Sequence, residues 1–337
     1  MPAYEEMLMR SQTADVSVVI PAYNCARYVG HAIDSALRQT IGVRQILVID
    51  DGSTDDTDEA IRRFRKRRIV RYIRIENAGQ AHARNLGASL ARGAWVAFLD
   101  ADDMWEPHKI EAQTEMLAHT GRHVCYADMR AIDMDGNRIP YPRGSSLALR
   151  SGCILDDLFV NNFIPHSSLI VSKRMIDEVG GFDESLRMGD DWDLVLRLAA
   201  RCEFDLAPEK LIRYRVRTNQ LSSRYEQRIA DQDRIVRKFL GRHGGMLSLS
   251  QIRKGAAFRA RSRGYHYAPV AINRSLRWYL RSAAIEPLNS LTYRGMLRAI
   301  LCMLQRRCAY ARTARLPLPP YRHAASLTGE TPMNTSS

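Results

Sequence analysis

Three carboxylates fall within four residues at Asp100, Asp102 and Asp103, directly after the apolar run Trp95–Leu99. Like charges this close raise one another's energy. A divalent cation removes that repulsion, and Mg2+ or Mn2+ commonly bridges one or two carboxylates to a diphosphate. A solvated acidic turn, with Asp103 capping the following helix, accounts for the same residues, and the tripeptide alone leaves both readings open. A second acidic turn reads Ile49-Asp50-Asp51-Gly52-Ser53-Thr54-Asp55-Asp56-Thr57. Asp51 is suited to accept from a pyrimidine imide edge or a ribose. Ser53 to Asp56 have the composition of a helix start, with Thr54 or Asp55 as the cap. The third group is Gly189-Asp190-Asp191-Trp192-Asp193. Acids in a first helical turn complement the helix dipole, and Asp193 fits that role. Two adjacent acids before a large aromatic also suit taking a proton from an acceptor hydroxyl while a ring packs on a sugar.

These groups need elements to bring them together. Val16–Ile20, Gln45–Ile49, Val70–Ile75 and Trp95–Leu99 are short apolar runs expected to be buried strands. Helical spacing falls between them over Tyr28–Arg38, Asp56–Lys66 and Gln80–Ala91. Strands alternating with helices imply a parallel sheet covered on both faces, with ligands beyond the carboxyl ends of the strands. The polar residues Tyr23-Asn24, Asp50-Asp51 and Asp100 to Asp102 sit at those ends. Further along, a helix is expected from Pro107 to His119, strands over Val124–Met134, Leu169–Val171 and Lys210–Val216, and helices over Arg174–Val179 and Asp190–Ala200. Residues 137–151, rich in Pro, Gly and Ser, read as a loop.

The chain has 337 residues, 45% apolar and 26% charged, a globular composition with room for one catalytic domain and an accessory part. No apolar stretch reaches the ~18–20 residues of a membrane span. The first fifteen residues lack the basic-then-apolar order of a secretory signal. The six cysteines are scattered without a C-x-x-C pair, which argues against a disulfide framework or zinc and for a reducing, cytoplasmic setting. The net charge of +13 is concentrated: residues 241–316 hold fifteen Lys or Arg against the single acid Glu286. There Leu297, Ile300, Leu301, Leu304 and Cys308 share a helical stripe flanked by Arg294, Arg298 and Arg306. A basic amphipathic helix suits an anionic membrane surface or a lipid-diphosphate-linked acceptor. Packing of the stripe on the catalytic domain is the alternative. Nucleic acid is not expected, because no recognition module or aromatic-studded basic face is evident.

Other nucleotide chemistries are disfavoured. No G-x-x-x-x-G-K-[ST] phosphate loop exists, and the first strand runs into Pro-Ala-Tyr-Asn rather than G-x-G-x-x-G. A sugar nucleotidyltransferase would want a Gly-rich triphosphate loop near the N-terminus, which Val16–Asn24 lacks. A non-catalytic basic scaffold on the same fold is the remaining alternative.

Taken in order, Val16–Asn24, Ile46–Thr57, Asn77–Gly87, Phe98–Pro107, Gly180–Glu184 and Gly189–Leu198 resemble the motifs of the inverting family-2 glycosyltransferases. The resemblance runs from about Val16 to Ser222. It implies a GT-A fold within the α/β class, with a mostly parallel, Rossmann-like sheet and, here, a helical basic C-terminal extension. The boundaries so implied are an extension over 1–14, the catalytic domain over 15–222, a basic helical region over 223–316 and a disordered tail over 317–337.

The resemblance also implies roles. Pro21, Tyr23 and Asp51 would bind the nucleoside with Arg84 nearby. Asp100 and Asp102 would address ribose and a divalent metal, Mn2+ or Mg2+, Asp102 more directly. Asp191, with Asp190 beside it, would be the catalytic acid pair, Asp191 acting as general base. Trp192 and His166 would line the acceptor side. The partners implied are a nucleotide-sugar donor and a glycan or lipid-linked glycan acceptor, as in building surface polysaccharide. Two departures stand out. Asp190-Asp191 replaces the usual Glu-Asp, and Arg217 stands where relatives often carry His. Arginine pairs with a diphosphate but is a poor metal ligand.

Overall fold

The computed structural model describes residues 13–140, 149–217 and 225–304. Of the expectations above, those for residues 1–12, 141–148, 218–224, Arg306, Cys308 and the tail lie outside them.

The first half is built as the alternation demands: β1 (Thr13–Ala22), α1 (Ala26–Leu37), β2 (Gly42–Asp50), α2 (Thr57–Arg62), β3 (Val70–Arg74), α3 (Gln80–Leu90) and β4 (Trp95–Phe98). The pairings β1·β2, β2·β3 and β1·β4 are all parallel. Successive residues of β1 point to opposite faces, so Val18 and Ile20 join one core with α1 while Val19 joins the other with α3. Helix α3 lies so close to β1 that a Cβ on Gly87 would stand 2.3 Å from Val19, which is why that position carries no side chain.

The second half comprises β5 (Met104–Trp105), α4 (Lys109–Thr120), β6 (Val124–Ile132), α5 (Leu155–Val160), β7 (Ile170–Ser172), α6 (Lys173–Val179), α7 (Asp190–Ala199) and β8 (Asp205–Arg215). The eight strands form one sheet in the order β3-β2-β1-β4-β7-β6-β8-β5. Strand β7 runs antiparallel to both β4 and β6, and β5 antiparallel to β8, while β6·β8 is parallel. The sheet is therefore mixed beyond β4. Periodicity does not reveal β5 or α5, which are too short to show a period. Strand β8 begins five residues before the expected Lys210; Pro208 hides its first part, and the pairing with β6 shifts register there.

After residue 224 the chain is helical: α8 (Tyr225–His243), α9 (Leu249–Tyr267), α10 (Ile272–Ile285) and α11 (Ser290–Leu304). Helix α9 docks on α5, with Gly255 against the Phe159 ring and Arg259 donating to the Phe159 carbonyl at 3.1 Å. Tyr279 of α10 is packed between Gly264 and Gly295. Ser282 joins α10 to α9 through the Ala257 carbonyl and to α11 through Thr292, each at 3.0 Å. The inward face of α11 is thus Thr292, Gly295 and Ala299. Leu297 and Leu301 of the apolar stripe stay exposed, so at these positions it does not pack on the catalytic domain.

Candidate functional site

Beyond the carboxyl ends of β1 and β2, two turns lock together. Asn24, in left-handed backbone conformation at φ 47°, donates its N–H to Ser53 Oγ and accepts from the Thr54 N–H at 2.8 Å. Asp55 accepts from the N–H groups of Thr57 and Ala26, so it serves the start of α2 as its composition suggests. This leaves Tyr23 projecting, 52% exposed, with Pro21 half-buried beneath it. Asp51 is buried, and its two oxygens accept from the N–H groups of Ala78 and Gly79 at 2.7 and 2.9 Å, just ahead of α3. A carboxylate has about four acceptor positions, so two remain for a ligand.

At the end of β4 the three acids separate into different jobs. Asp103 is buried and accepts from Ser167 Oγ at 2.6 Å and the Arg215 N–H at 2.9 Å. It ties β8 to β4 and does not cap a helix, contrary to the alternative raised from sequence. Asp100 accepts from Arg84 at 2.8 Å. Burial, the largest influence, would raise its pKa, but the surrounding groups together, Arg84 foremost, hold the carboxyl below its usual range. Asp102 pairs with Arg217 at 2.5 Å. There burial, abetted by Asp100, outweighs the arginine and raises the carboxyl.

Arg84 is buried and also donates to Asp190 at 2.5 Å, so a single guanidinium joins the end of β4 to the start of α7. Asp190 receives a second hydrogen bond from Gln80 at 2.6 Å and is fully buried. The structure thereby corrects two expectations. Arg84 is committed to two acids rather than free for the nucleoside, and Asp190 is inaccessible to an acceptor. Asp191 differs from its neighbour: it is partly exposed and accepts from Asn162 at 3.0 Å. Burial, then the adjacent Asp190, raises its pKa to about 6, within the range of a working general base.

Trp192 is also corrected. It is 4% exposed, and its indole N–H donates to the Leu158 carbonyl at 2.8 Å, so it belongs to the core and offers no face for a sugar. His166 is buried against Phe98 and Phe182, with ring centroids at 5.0 and 5.6 Å. Burial and then Arg84 lower its pKa to about 3, and neither ring nitrogen has a partner among the described residues. It is a neutral imidazole behind Arg84 rather than at the surface. Asp193 accepts from Arg197 and from Lys238 of α8 at 2.8 and 2.9 Å, anchoring α7.

Asp100 and Asp102 offer hard carboxylate oxygens, the set that Mg2+ and Mn2+ prefer. Among the described residues no three potential ligands gather. A shell built on one or two carboxylates plus substrate phosphates and water needs no third. The residues fit such an ion on one condition: Arg217 must release Asp102. Arg217 is partly exposed, and its guanidinium lies 5.6 Å from the Tyr28 ring centroid, over which Arg215 also sits at 4.7 Å.

The glycosyl transferase family 2 model matches residues 17–180, the span that carries β1 to α6 and the acids after β4. The chain carries a family 2 glycosyltransferase domain. Two curated relatives are an uncharacterised glycosyltransferase of Rickettsia bellii, 29% identical over 60% of this chain and 29% of the relative, and the chondroitin synthase of Escherichia coli, 33% identical over 55% and 26%. The chain thus spans less than a third of the length of either. Among solved structures, S. aureus TarS residues 1–349 in complex with UDP-GlcNAc superposes with a TM-score of 0.52 at 17% identity, covering 86% of this chain and 92% of that one. The shared architecture is the GT-A fold.

Within this family 2 domain, sequence reasoning missed Gln80, Asn85 and Asn162. Asn85 exchanges hydrogen bonds with the backbone of Phe182, at 2.8 and 3.0 Å, and so fastens the Gly180–Glu184 segment to α3. Amides carry no charge signal, and only their place inside the quoted motif 77–87 hinted at a role. Asn162 lies in no motif and had no signal.

Proposed function

We propose that this chain transfers a sugar from a nucleotide-diphosphate donor to a hydroxyl of a glycan or lipid-linked glycan, with inversion, in building a surface polysaccharide. The observation that carries this reading is Asp191: partly exposed, oriented by Asn162 and raised to about 6, it stands beside the buried Asp190–Arg84–Asp100 bridge. That bridge fixes the base relative to the strand ends where Tyr23 and Asp51 await a nucleoside. A uridine donor is favoured by the UDP-GlcNAc complex of TarS, and a polysaccharide product by the chondroitin synthase relative.

In the reaction, the acceptor oxygen forms a bond to the anomeric carbon as the bond from that carbon to the diphosphate breaks. Asp191 takes the acceptor proton. Asp102, with Asp100, would hold Mg2+ or Mn2+, which supplies charge neutralisation at the diphosphate when bound. Arg217, displaced from Asp102, pairs with the diphosphate as arginine does with phosphates generally. The reading places the enzyme in the cytoplasm, in keeping with four free thiols at Cys25, Cys125, Cys153 and Cys202. Among the described residues no helix is long and apolar enough to cross a membrane.

The test is calorimetry with UDP-, GDP- and dTDP-sugars, with and without Mn2+, on the wild type and Asp102→Ala. Metal-assisted binding of one nucleotide class, weakened in the variant, is expected. Absence of binding for every class and condition would overturn the donor site.

A further inference from the structure

Helix α11 is amphipathic in the wrong sense for a helix that only packs inward. Its buried face is made of small or polar residues, Thr292, Gly295 and Ala299. Its opposite face carries Tyr293, Leu297 and Leu301, spaced four apart and therefore stacked along one line, and these are 48%, 56% and 43% exposed. Arg294 and Arg298 stand one position further round the helix from Tyr293 and Leu297, both exposed. The same pairing of types recurs nearby. Leu280 of α10 is exposed between Arg277 and Arg281, and Leu288, in the turn between the two helices, is 98% exposed.

Large apolar side chains left in water alongside arginines need a partner that is apolar inside and negative outside. The charge says which. The exposed charges beside these side chains are Arg277, Arg281, Arg294 and Arg298, and Glu286, the only acid from residue 241 to 304, is engaged by Asn289 at 3.0 Å. A protein partner would match this face only with an unusually acidic one. An anionic lipid surface matches it directly, headgroups meeting the arginines and acyl chains receiving the leucines to a depth of ~5–10 Å.

We infer that the outward face of α11, with the neighbouring α10 turn, is a docking surface for an anionic bilayer. The face is built entirely of residues outside the catalytic rim, so this inference stands or falls apart from the proposed reaction. It accounts for the small residues turned inward: Gly295 lets α11 sit close to Tyr279, while Tyr293, Leu297 and Leu301 are left outward for the lipid.

Flotation of the full chain with phosphatidylcholine vesicles, with or without phosphatidylglycerol, tests it. Binding is expected only with the anionic lipid and is expected to weaken with salt. Arg294→Glu with Arg298→Glu should lower the partition coefficient by about tenfold or more. Leu297→Ser with Leu301→Ser should lower it as well while leaving its salt dependence in place. All four positions are exposed, so nucleotide binding and melting temperature should stay at wild-type values and serve as controls. Equal binding to neutral vesicles, or none to either, overturns the inference. So does a self-associated species in light scattering that the leucine substitutions dissolve, since the face would then belong to a second copy of the chain.

Discussion

A carboxylate next to another carboxylate in a poorly solvated pocket holds its proton longer than it would in water. Asp191 is in that position: its neighbour Asp190 is sealed against Arg84 and Gln80, while Asp191 itself keeps an opening and has a pKa raised to about 6 by burial and then by Asp190. A base works only when ionised, so kcat/KM should fall as pH drops through about 6, with that limb absent from whatever activity Asp191→Asn retains. The same variant should lose ~10²–10⁴-fold in kcat and keep its nucleotide affinity. Arg217→Ala makes a second prediction. It frees Asp102, so the nucleotide-free protein should bind Mn2+ more tightly, read by electron paramagnetic resonance, while nucleotide affinity weakens. Unchanged Mn2+ binding would mean that the Asp102 pair does not control the ion. The acids of this site were legible in the sequence because clustered like charges need an explanation. Their division of labour was not, because Asp103, Asp190 and Asp193 differ from Asp102 and Asp191 only in what surrounds them. Trp192 shows the converse: an aromatic after two acids has a ready functional reading, and only burial reveals that it fills the core.

At the scale of elements, β1 to β4 and the three helices between them were legible because apolar runs of strand length alternate with helical spacing. The antiparallel insertion of β7 was not, since a three-residue strand buried on both faces carries no mark of direction. Helix α3 concentrates several demands, as Gln80, Arg84, Asn85 and Gly87 each meet a different neighbour. Gly87→Ala should therefore cost about 1–3 kcal/mol in denaturant unfolding, through overpacking against Val19. Helix α4 carries a burden at its first residue. Lys109 is fully buried, its ammonium lies 4.1 Å from the Trp105 ring centroid, and it has no hydrogen-bond partner among the described residues. Burial lowers its pKa from 10.5 to about 7. As pH falls from 10.5 to 7 the unfolded chain gains this proton and the folded one does not, so its contribution to stability drops over that window and levels off below it. Lys109→Met should raise stability at pH 7 by on the order of 3 kcal/mol and flatten this pH dependence. An equal change in unfolding free energy between pH 7 and pH 10 for both proteins, read by urea unfolding, would refute the account.

For the whole molecule, the helical region is more than an appendage to the sheet. Lys238 of α8 bonds Asp183 and Asp193 at 2.8 and 2.9 Å, and Asp231 accepts from the Met188 N–H at 3.1 Å. The segment that presents Asp191 is thereby held from outside as well as by Arg84 from within. The concentration of basic charge in this region was legible from composition alone. Its division between inward contacts, such as Arg259 and Arg263, and outward ones, such as Arg294 and Arg298, was not, because helical periodicity identifies faces but not which of them meets the rest of the protein.

The Arg84 bridge has a consequence for the order of events during synthesis. Its two acids are separated by ninety residues of chain, and Asp191, the proposed base, sits one residue beyond the later one. A ribosome that has released only the βαβ half exposes Tyr23, Asp51 and Asp100, but no base and only half of the bridge that orients it. On the proposed reading, transfer must therefore wait until translation has passed α7 and that helix has docked.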